Sequence, residues 1–349
     1  MIGVSRSASR RFHHVANGTC TTRLIDEAGI PGTVSIWADP LYEGPVPGDV
    51  TDAELVQIRS RYLSGSPDGP AFVAWTGPNA ELDPVNDLQE WRAAIDRHDG
   101  YDELVLWFEH DLFDQLNLVQ LLVWIHGRLP ESKLVSLVCI GSFPGHSNFK
   151  GLGELSPKEL APLLNARQPV GESQFALADL AWDAFRQPTP EVLAEVRRAD
   201  TRALPFLAAA IERFLEEYPW TTDGLSRSER RLLELTAGGG ISLSAAFPRM
   251  HVGEAIYYVT DASLAALAEE LSRSSPPLLM LAVDPADRGN GTLRGTIALT
   301  DVGRAVLAGR QDKVATCGID RWLGGVHLQP GGPIWRWDQS SNRMTKQRS

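Results

Sequence analysis

The residues best suited to carry chemistry stand together in Glu109-His110-Asp111-Leu112-Phe113-Asp114-Gln115, directly after an apolar run at 104–108. A carboxylate beside an imidazole fixes its tautomer and raises its basicity, which is what a general base requires. His110 and Asp114 are four apart, as are Asp111 and Gln115, so in a helical turn each pair shares a face. The same side chains offer oxygens and one nitrogen to a divalent cation, with His110, Glu109 and Asp111 as the ligand set if a metal is bound. The sequence itself fixes no cofactor. Asp111 and Asp114 also suit the cap and third position of a helix; capping would account for both and leave Glu109 and His110 without a reason. Glu109, His110, Asp111 and Asp114 are therefore the candidate catalytic residues, with Gln115 beside them as a ligand contact.

Three other segments end apolar runs in polar or small residues. His14-Val15-Ala16-Asn17-Gly18-Thr19 is a tight Asn-Gly turn with hydroxyls at a helix start, suited either to presenting N–H groups to an anion or to a plain turn and cap. Trp37-Ala38-Asp39-Pro40-Leu41-Tyr42-Glu43-Gly44-Pro45 sets Asp39 and Glu43 beside aromatic rings in a stiffened loop. Cys139-Ile140-Gly141 closes a further run; Gly141 permits close approach of a ligand, while Cys139 reads as a small core residue. His14, Asn17, Gly18, Thr19, Trp37, Asp39, Glu43 and Gly141 join Gln115 as candidate ligand contacts. No nucleophile elbow, P-loop or G-x-G-x-x-G occurs, which removes the commonest hydrolase, NTPase and dinucleotide readings.

Positioning these groups requires strands that end where the polar residues begin. Apolar runs at 12–16, 33–37, 71–75, 104–108 and 134–140 alternate with helical patterns near 20–28, 51–63, 84–97 and 112–128, which predicts an α/β fold with a mostly parallel sheet over 1–150. The runs at 104–108 and 134–138 are nearly continuous, as befits central strands buried on both faces. A helical region is expected over 151–220, with starts at Ser156-Pro157-Lys158-Glu159, at 188–191 and at 200–202. Over 221–338 the capping box Ser226-Arg227-Ser228-Glu229, helices at 230–236 and 263–272, a hairpin at 278–283 and 293–299, and a helix opening at 300–304 follow the order of a small winged-helix domain. Residues 339–349 read as a polar, mobile tail.

Composition narrows the partners. The chain has 349 residues, 43% of them hydrophobic, as in ordinary globular domains. It has neither a long uninterrupted apolar stretch nor a secretory leader pattern, so no membrane is expected and the cytoplasm is the default compartment. Cys20, Cys139 and Cys317 are too dispersed for a disulfide framework or a zinc site. The net charge of −11 disfavours broad adhesion to nucleic acid or anionic lipid. From Thr221 onward 15 Lys and Arg face 13 Asp and Glu, so only this last third can meet DNA without strong repulsion. The segments at 320–327 and 335–338 combine three of the ten tryptophans with charged residues and suit domain docking, a lid or a homo-oligomer interface.

Taken together, Asn17-Gly18 after a strand, Glu43-Gly44-Pro45-Val46-Pro47, Trp107-Phe108-Glu109-His110-Asp111-Leu112, Cys139-Ile140-Gly141, Arg167-Gln168-Pro169-Val170, Leu204-Pro205-Phe206-Leu207, Gly224-Leu225-Ser226-Arg227 and Gly324-Gly325-Val326-His327 carry a resemblance. Through them the chain resembles, over nearly its whole length, a bacterial family catalogued as domain of unknown function 1835. That family usually reads Asn-Gly-Asp-Ser at the first turn, whereas Thr19 and Cys20 stand here in place of the acid and the serine. The resemblance implies no reaction.

The residues themselves lead to two expectations. One is an enzyme, a hydrolase or group transferase acting on a small polar or phosphorylated molecule at the Glu-His-Asp site. The other is a ligand sensor without chemistry, whose winged-helix-like segment meets DNA or a partner protein through Arg227, Arg230 and Arg231.

Overall fold

Long apolar runs between polar turn residues become the strands of a central sheet. The computed structural model describes residues 10–64, 84–283 and 293–347. The expected strand at 71–75 lies outside the described residues. In chain order the first elements are β1 Phe12–Ala16, α1 Thr19–Glu27, β2 Thr33–Ile36, β3 Gly44–Pro45, α2 Asp52–Leu63 and α3 Pro84–Asp96. They are followed by β4 Glu103–Glu109, α4 Leu112–Ile125, β5 Leu134–Ile140, α5 Pro157–Leu160, α6 Leu163–Ala166, β6 Gln168–Pro169 and α7 Glu172–Phe185.

The chain divides into two compact units, and they do not follow a simple cut along the sequence. The first comprises the chain up to Asp39 together with Leu88–Asp179; the second comprises Pro40–Asp87 and Leu180 onward. Residues 40–87, expected within a continuous first domain, thus belong with the C-terminal part, and the first unit runs on beyond 150.

The first unit holds a five-stranded sheet of order β2-β1-β4-β5-β6. β1, β2, β4 and β5 are parallel, and the two-residue β6 runs antiparallel at the edge. All seven residues of β4 are buried, as expected for a strand covered on both faces. On one face Ala16, Val105, Trp107 and Val138 pack with Leu24 and Ile25 of α1 and with Phe149, Leu152 and Leu155. α4 is buried along most of its length, including Asp114, Gln115, Asn117 and Gln120. A helix apolar nearly all round belongs in a core. Its polar residues must then find partners inside.

From β1 the chain passes to β2 on one side, and it later crosses to β4 on the other. The strand order therefore reverses between β1 and β4. Beyond the carboxyl ends of two such strands a crevice forms, because their connections leave in opposite directions. Asn17 and Glu109 sit at those two ends: Ala16 pairs with Trp107, two residues before Glu109.

In the second unit come α8 Glu191–Val196, α9 Leu207–Leu215, α10 Arg227–Thr236, β7 Ile241–Ser242, α11 Leu243–Met250 and α12 Asp261–Arg273. β8 Leu279–Ala282, β9 Thr296–Leu299, α13 Asp301–Leu307 and α14 Lys313–Cys317 complete the winged-helix-like segment. Its antiparallel strands have the order β7-β9-β8 over a core of Leu232, Leu233, Leu243, Leu264, Leu271 and Ile297. The capping box at Ser226 and Glu229 forms as its spacing predicts. The start expected at 200–202 does not: Arg202 folds onto Asp200 in an exposed turn, and α9 begins at Leu207.

β10 Arg321–Gly324 and β11 Val326–Leu328 form a sheet with β3, and β12 Ile334–Asp338 pairs with β13 Arg343–Gln347. Residues 343–347 are thus a strand, where a mobile tail was expected. Backbone pairing to an apolar strand overrides their polar composition. Among the described residues no helix is long and apolar enough to cross a membrane.

Candidate functional site

β4 delivers Glu109 to the crevice, and Asp111 ends the turn by capping α4: its Oδ1 accepts from Asp114 N at 2.8 Å. Capping fixes the first turn of α4, which in turn aims Asp114 back at the strand. Asp114 Oδ1 accepts from Glu109 N at 2.8 Å, and its Oδ2 accepts from Asn17 Nδ2 at 2.7 Å. The same Asn17 amide reaches Glu109 Oε2 at 3.3 Å, while Thr21 Oγ1 donates to Asn17 Oδ1 at 3.3 Å. One amide from the end of β1 thereby holds two carboxylates from the far side of the switch point.

Oxygens of Glu109, Asp111 and Asp114 lie within 4.8 Å of one another. Glu109 and Asp114 are buried and Asp111 is half-buried. None of the three forms an ion pair with a Lys or Arg among the described residues. Three acids in so small a space cannot all ionise without a compensating positive charge. Burial, and then the charge of Asp111, push the Glu109 carboxyl up to about 8. Burial pushes Asp111 up to about 6. Asp114 is held well above the usual carboxylate range by burial and by both neighbours.

Two residues that local sequence reading does not reach complete the site. The chain returns after β5, and Leu152 N donates to Glu109 Oε1 at 2.5 Å. That approach requires glycine at 151, where a Cβ would lie 2.3 Å from Glu109 Oε2. Gly151 was detectable only as a glycine in a loop; nothing in its neighbourhood names Glu109 as its partner.

The other candidates divide between support and separation. Gln115 is buried, and its Nε2 donates to Glu109 O at 2.6 Å and to Cys139 Sγ at 3.5 Å, so it braces the strand ends. Burial pushes the Cys139 thiol up to about 12, in keeping with a core residue. His110, next after β4, is buried, and Gly141 follows Ile140, the residue paired with Glu109. Gly18 and Thr19 open α1 beside Asn17, with Thr19 exposed and Gly18 lacking a side chain to cap the helix.

His14 is not brought to the crevice. It sits inside β1, where Nδ1 accepts from Trp107 Nε1 at 3.1 Å and Nε2 donates to Pro31 O at 3.2 Å; burial lowers its pKa and keeps it neutral. Trp37 is buried with Nε1 donating to Gln120 Oε1 at 2.8 Å. Asp39 exchanges backbone hydrogen bonds with the Asn117 amide, 2.9 Å each. Glu43 falls in the second unit, where burial pushes its carboxyl up to about 7 against the lowering effect of Arg321 and Arg59.

No protein-family model matches the chain, and no curated protein is significantly similar to it. The site is therefore read from its own geometry.

The arginines that suggested a nucleic-acid surface are committed within the second unit. Arg227 pairs with Glu216 at 2.5 Å and Glu254 at 3.2 Å; Arg230 pairs with Asp223 and with Glu234 at 3.4 Å. Arg231 donates to the carbonyls of Arg249 and Val252. α12 exposes Asp261, Glu270 and Arg273, a mixed face with no surplus of positive charge for phosphates. Trp335 and Trp337 are buried in the same unit, and Trp322 stacks on His327 with centroids 4.3 Å apart.

Proposed function

We propose that the protein is an enzyme, a hydrolase or group transferase acting on a small polar or phosphorylated molecule, with its reactive centre at Glu109, His110 and Asp111. The observation that supports this most is the gathering of three carboxylates within 4.8 Å at a topological switch point, without a basic side chain paired to them among the described residues. A scaffold gains no stability from such an arrangement, since each buried acid raises the others' ionisation cost. Active sites do tolerate it.

The donor set suits a hard divalent cation, which binds oxygen ligands. Glu109 and Asp111 would hold it, the half-buried Asp111 on the accessible side. Asp114 has both oxygens engaged by Asn17 and the Glu109 amide at 2.7 and 2.8 Å, tighter than the 3.3 Å contact at Glu109 Oε2, and acts as the orienting residue. When bound, such an ion polarises a substrate oxygen and lowers the pKa of its water. His110 is then the proton acceptor beside the site.

Titration of Mg²⁺, Mn²⁺ and Ca²⁺ into the full-length protein, read by thermal unfolding, tests this. The wild type should be stabilised by at least one ion, since a ligand bound only to the folded state raises stability. Glu109→Gln should lose that response and also any turnover of a phosphate-ester panel. No shift with any ion, or an equal shift in Glu109→Gln, would sink the proposal.

A further inference from the structure

At the opposite end of the strands of the first unit's sheet lies a cavity of about 750 Å³ that the carboxylate site does not use. Its lining comes from the amino ends of β4 and β5, the loop after α4, β6 and the start of α7. This volume falls within the range of about 300–1,000 Å³ typical of small-molecule sites.

At its polar end Glu103 is buried among four donors. Its Oε1 accepts from Ser136 Oγ at 2.7 Å and Arg167 Nε at 2.6 Å; its Oε2 accepts from Arg167 Nη2 at 3.1 Å and Arg10 Nη1 at 2.7 Å. Burial alone would raise this carboxyl, but the hydrogen bonds from Arg167, Ser136 and Arg10 outweigh it and hold it at about 2. Glu103 is therefore ionised at neutral pH.

Arg167 by itself neutralises Glu103 with a bidentate fork, and Ser136 occupies a further lone pair. Arg10 is surplus to that requirement. Among the described residues it donates only through Nη1, and its side chain is 49% exposed. Lys133 adds a second positive charge to the lining, its Nζ tethered to Tyr101 O at 2.5 Å. The lining acids Glu131 and Glu172 are exposed and, among the described residues, fixed by no hydrogen bond, whereas Arg10 and Lys133 are held in place by Glu103 and Tyr101 O.

The rest of the wall is apolar and firm. Leu134, one of the large hydrophobic side chains left exposed (49%), lines it with Ile125, Leu129, Val170 and Phe175. The His126 ring lies flat on Phe175, centroids 4.8 Å apart, and its Nδ1 is held by Asp179 at 2.7 Å. A ligand with an apolar body would cover Leu134 and find the aromatic face already in place.

We propose that this cavity binds a small amphipathic anion, a carboxylate-bearing molecule whose charge faces Arg10 and Lys133 and whose apolar body lies against Leu134, Val170 and Phe175. Calorimetric titration of the full-length protein with octanoate, octylamine and octan-1-ol tests it. Octanoate should bind, octylamine should not, and octan-1-ol should bind more weakly. Arg10→Ala should weaken octanoate by about tenfold or more, as should Leu134→Asp. Both positions are exposed enough to substitute without disturbing the core. Arg11→Ala makes the same charge change outside the lining and should leave the affinity unaltered. Absence of octanoate binding at millimolar concentration overturns the proposal. So does equal binding of octylamine, or an octanoate affinity indifferent to both Arg10→Ala and Leu134→Asp.

Discussion

Replacing Glu109 with Gln should change how the stability of the first unit depends on pH. In the folded state the Glu109 carboxyl is raised from 4.5 to about 8 by burial and by Asp111. Below the unfolded value both states hold the proton, and no difference arises. Between 4.5 and about 8 the unfolded chain releases the proton while the folded protein keeps it, so stability is lost as pH rises, by up to about 1.4 kcal/mol per pH unit. Across a window from about pH 5.5 to 7.5 the loss is roughly 3 kcal/mol.

Gln keeps an oxygen for Leu152 N and removes the titration, so Glu109→Gln should be flatter over the same window by that amount. Glu43, raised to about 7 in the second unit, gives the wild type a slope of its own; the comparison of variant with wild type cancels it. Native-state hydrogen exchange of the β4 amides reports the first unit directly. An added divalent ion should stabilise the wild type more as pH rises, because it binds the ionised form. Parallel pH profiles for wild type and Glu109→Gln would refute the picture of crowded carboxylates sharing protons or a cation.

Gly151→Ala places a Cβ 2.3 Å from Glu109 Oε2, so the backbone or the carboxylate must move. The variant should lose about 1–3 kcal/mol in urea denaturation and weaken any cation response by about tenfold or more; an unchanged cation titration would show that Glu109 is not a ligand. Arg213 is 4% exposed between Glu217 at 2.6 Å and Glu254 at 2.9 Å. Arg213→Ala removes the nearest partner of two buried carboxylates, leaving Glu217 to Arg321 at 3.6 Å and Glu254 to Arg227 at 3.2 Å, and should cost about 1–3 kcal/mol in urea denaturation, with the cation response of the first unit intact. A loss below about 1 kcal/mol would mean that these acids protonate or rehydrate at little cost.

What the sequence made legible was local. The strands at 12–16 and 134–140 match their predicted limits because apolar runs stop at turn residues there. β4 extends one residue beyond its apolar run at each end. Glu103 and Glu109 look like boundaries, yet each is kept in the strand by partners distant in the chain, Arg167 and Arg10 for one and Leu152 and Asn17 for the other. β10 to β13 escaped prediction because they are short hairpin strands of three to five residues, β10 joined to β11 by one residue and β12 to β13 by four, too short for a run of alternation to mark them.

The same distinction explains the candidate site. Glu109, Asp111 and Asp114 are five residues apart at most, and a single cap at Asp111 is enough to converge them. Asn17 joins them because the strand order reverses between β1 and β4, which the alternation of strands and helices implies only if the crossing is known. His14 and Trp37 carry the same residue types as real sites but point to partners within the core, Trp107 and Gln120. Residue type nominates a site; the unspent hydrogen-bonding and charge decide it. By that criterion Glu109, whose Oε2 has only the 3.3 Å contact with Asn17, and the half-buried Asp111 are more available than Asp114, whose two oxygens are held at 2.7 and 2.8 Å, and an assay that separates ligand from orienting residue should find Asp114→Asn the milder change in cation affinity.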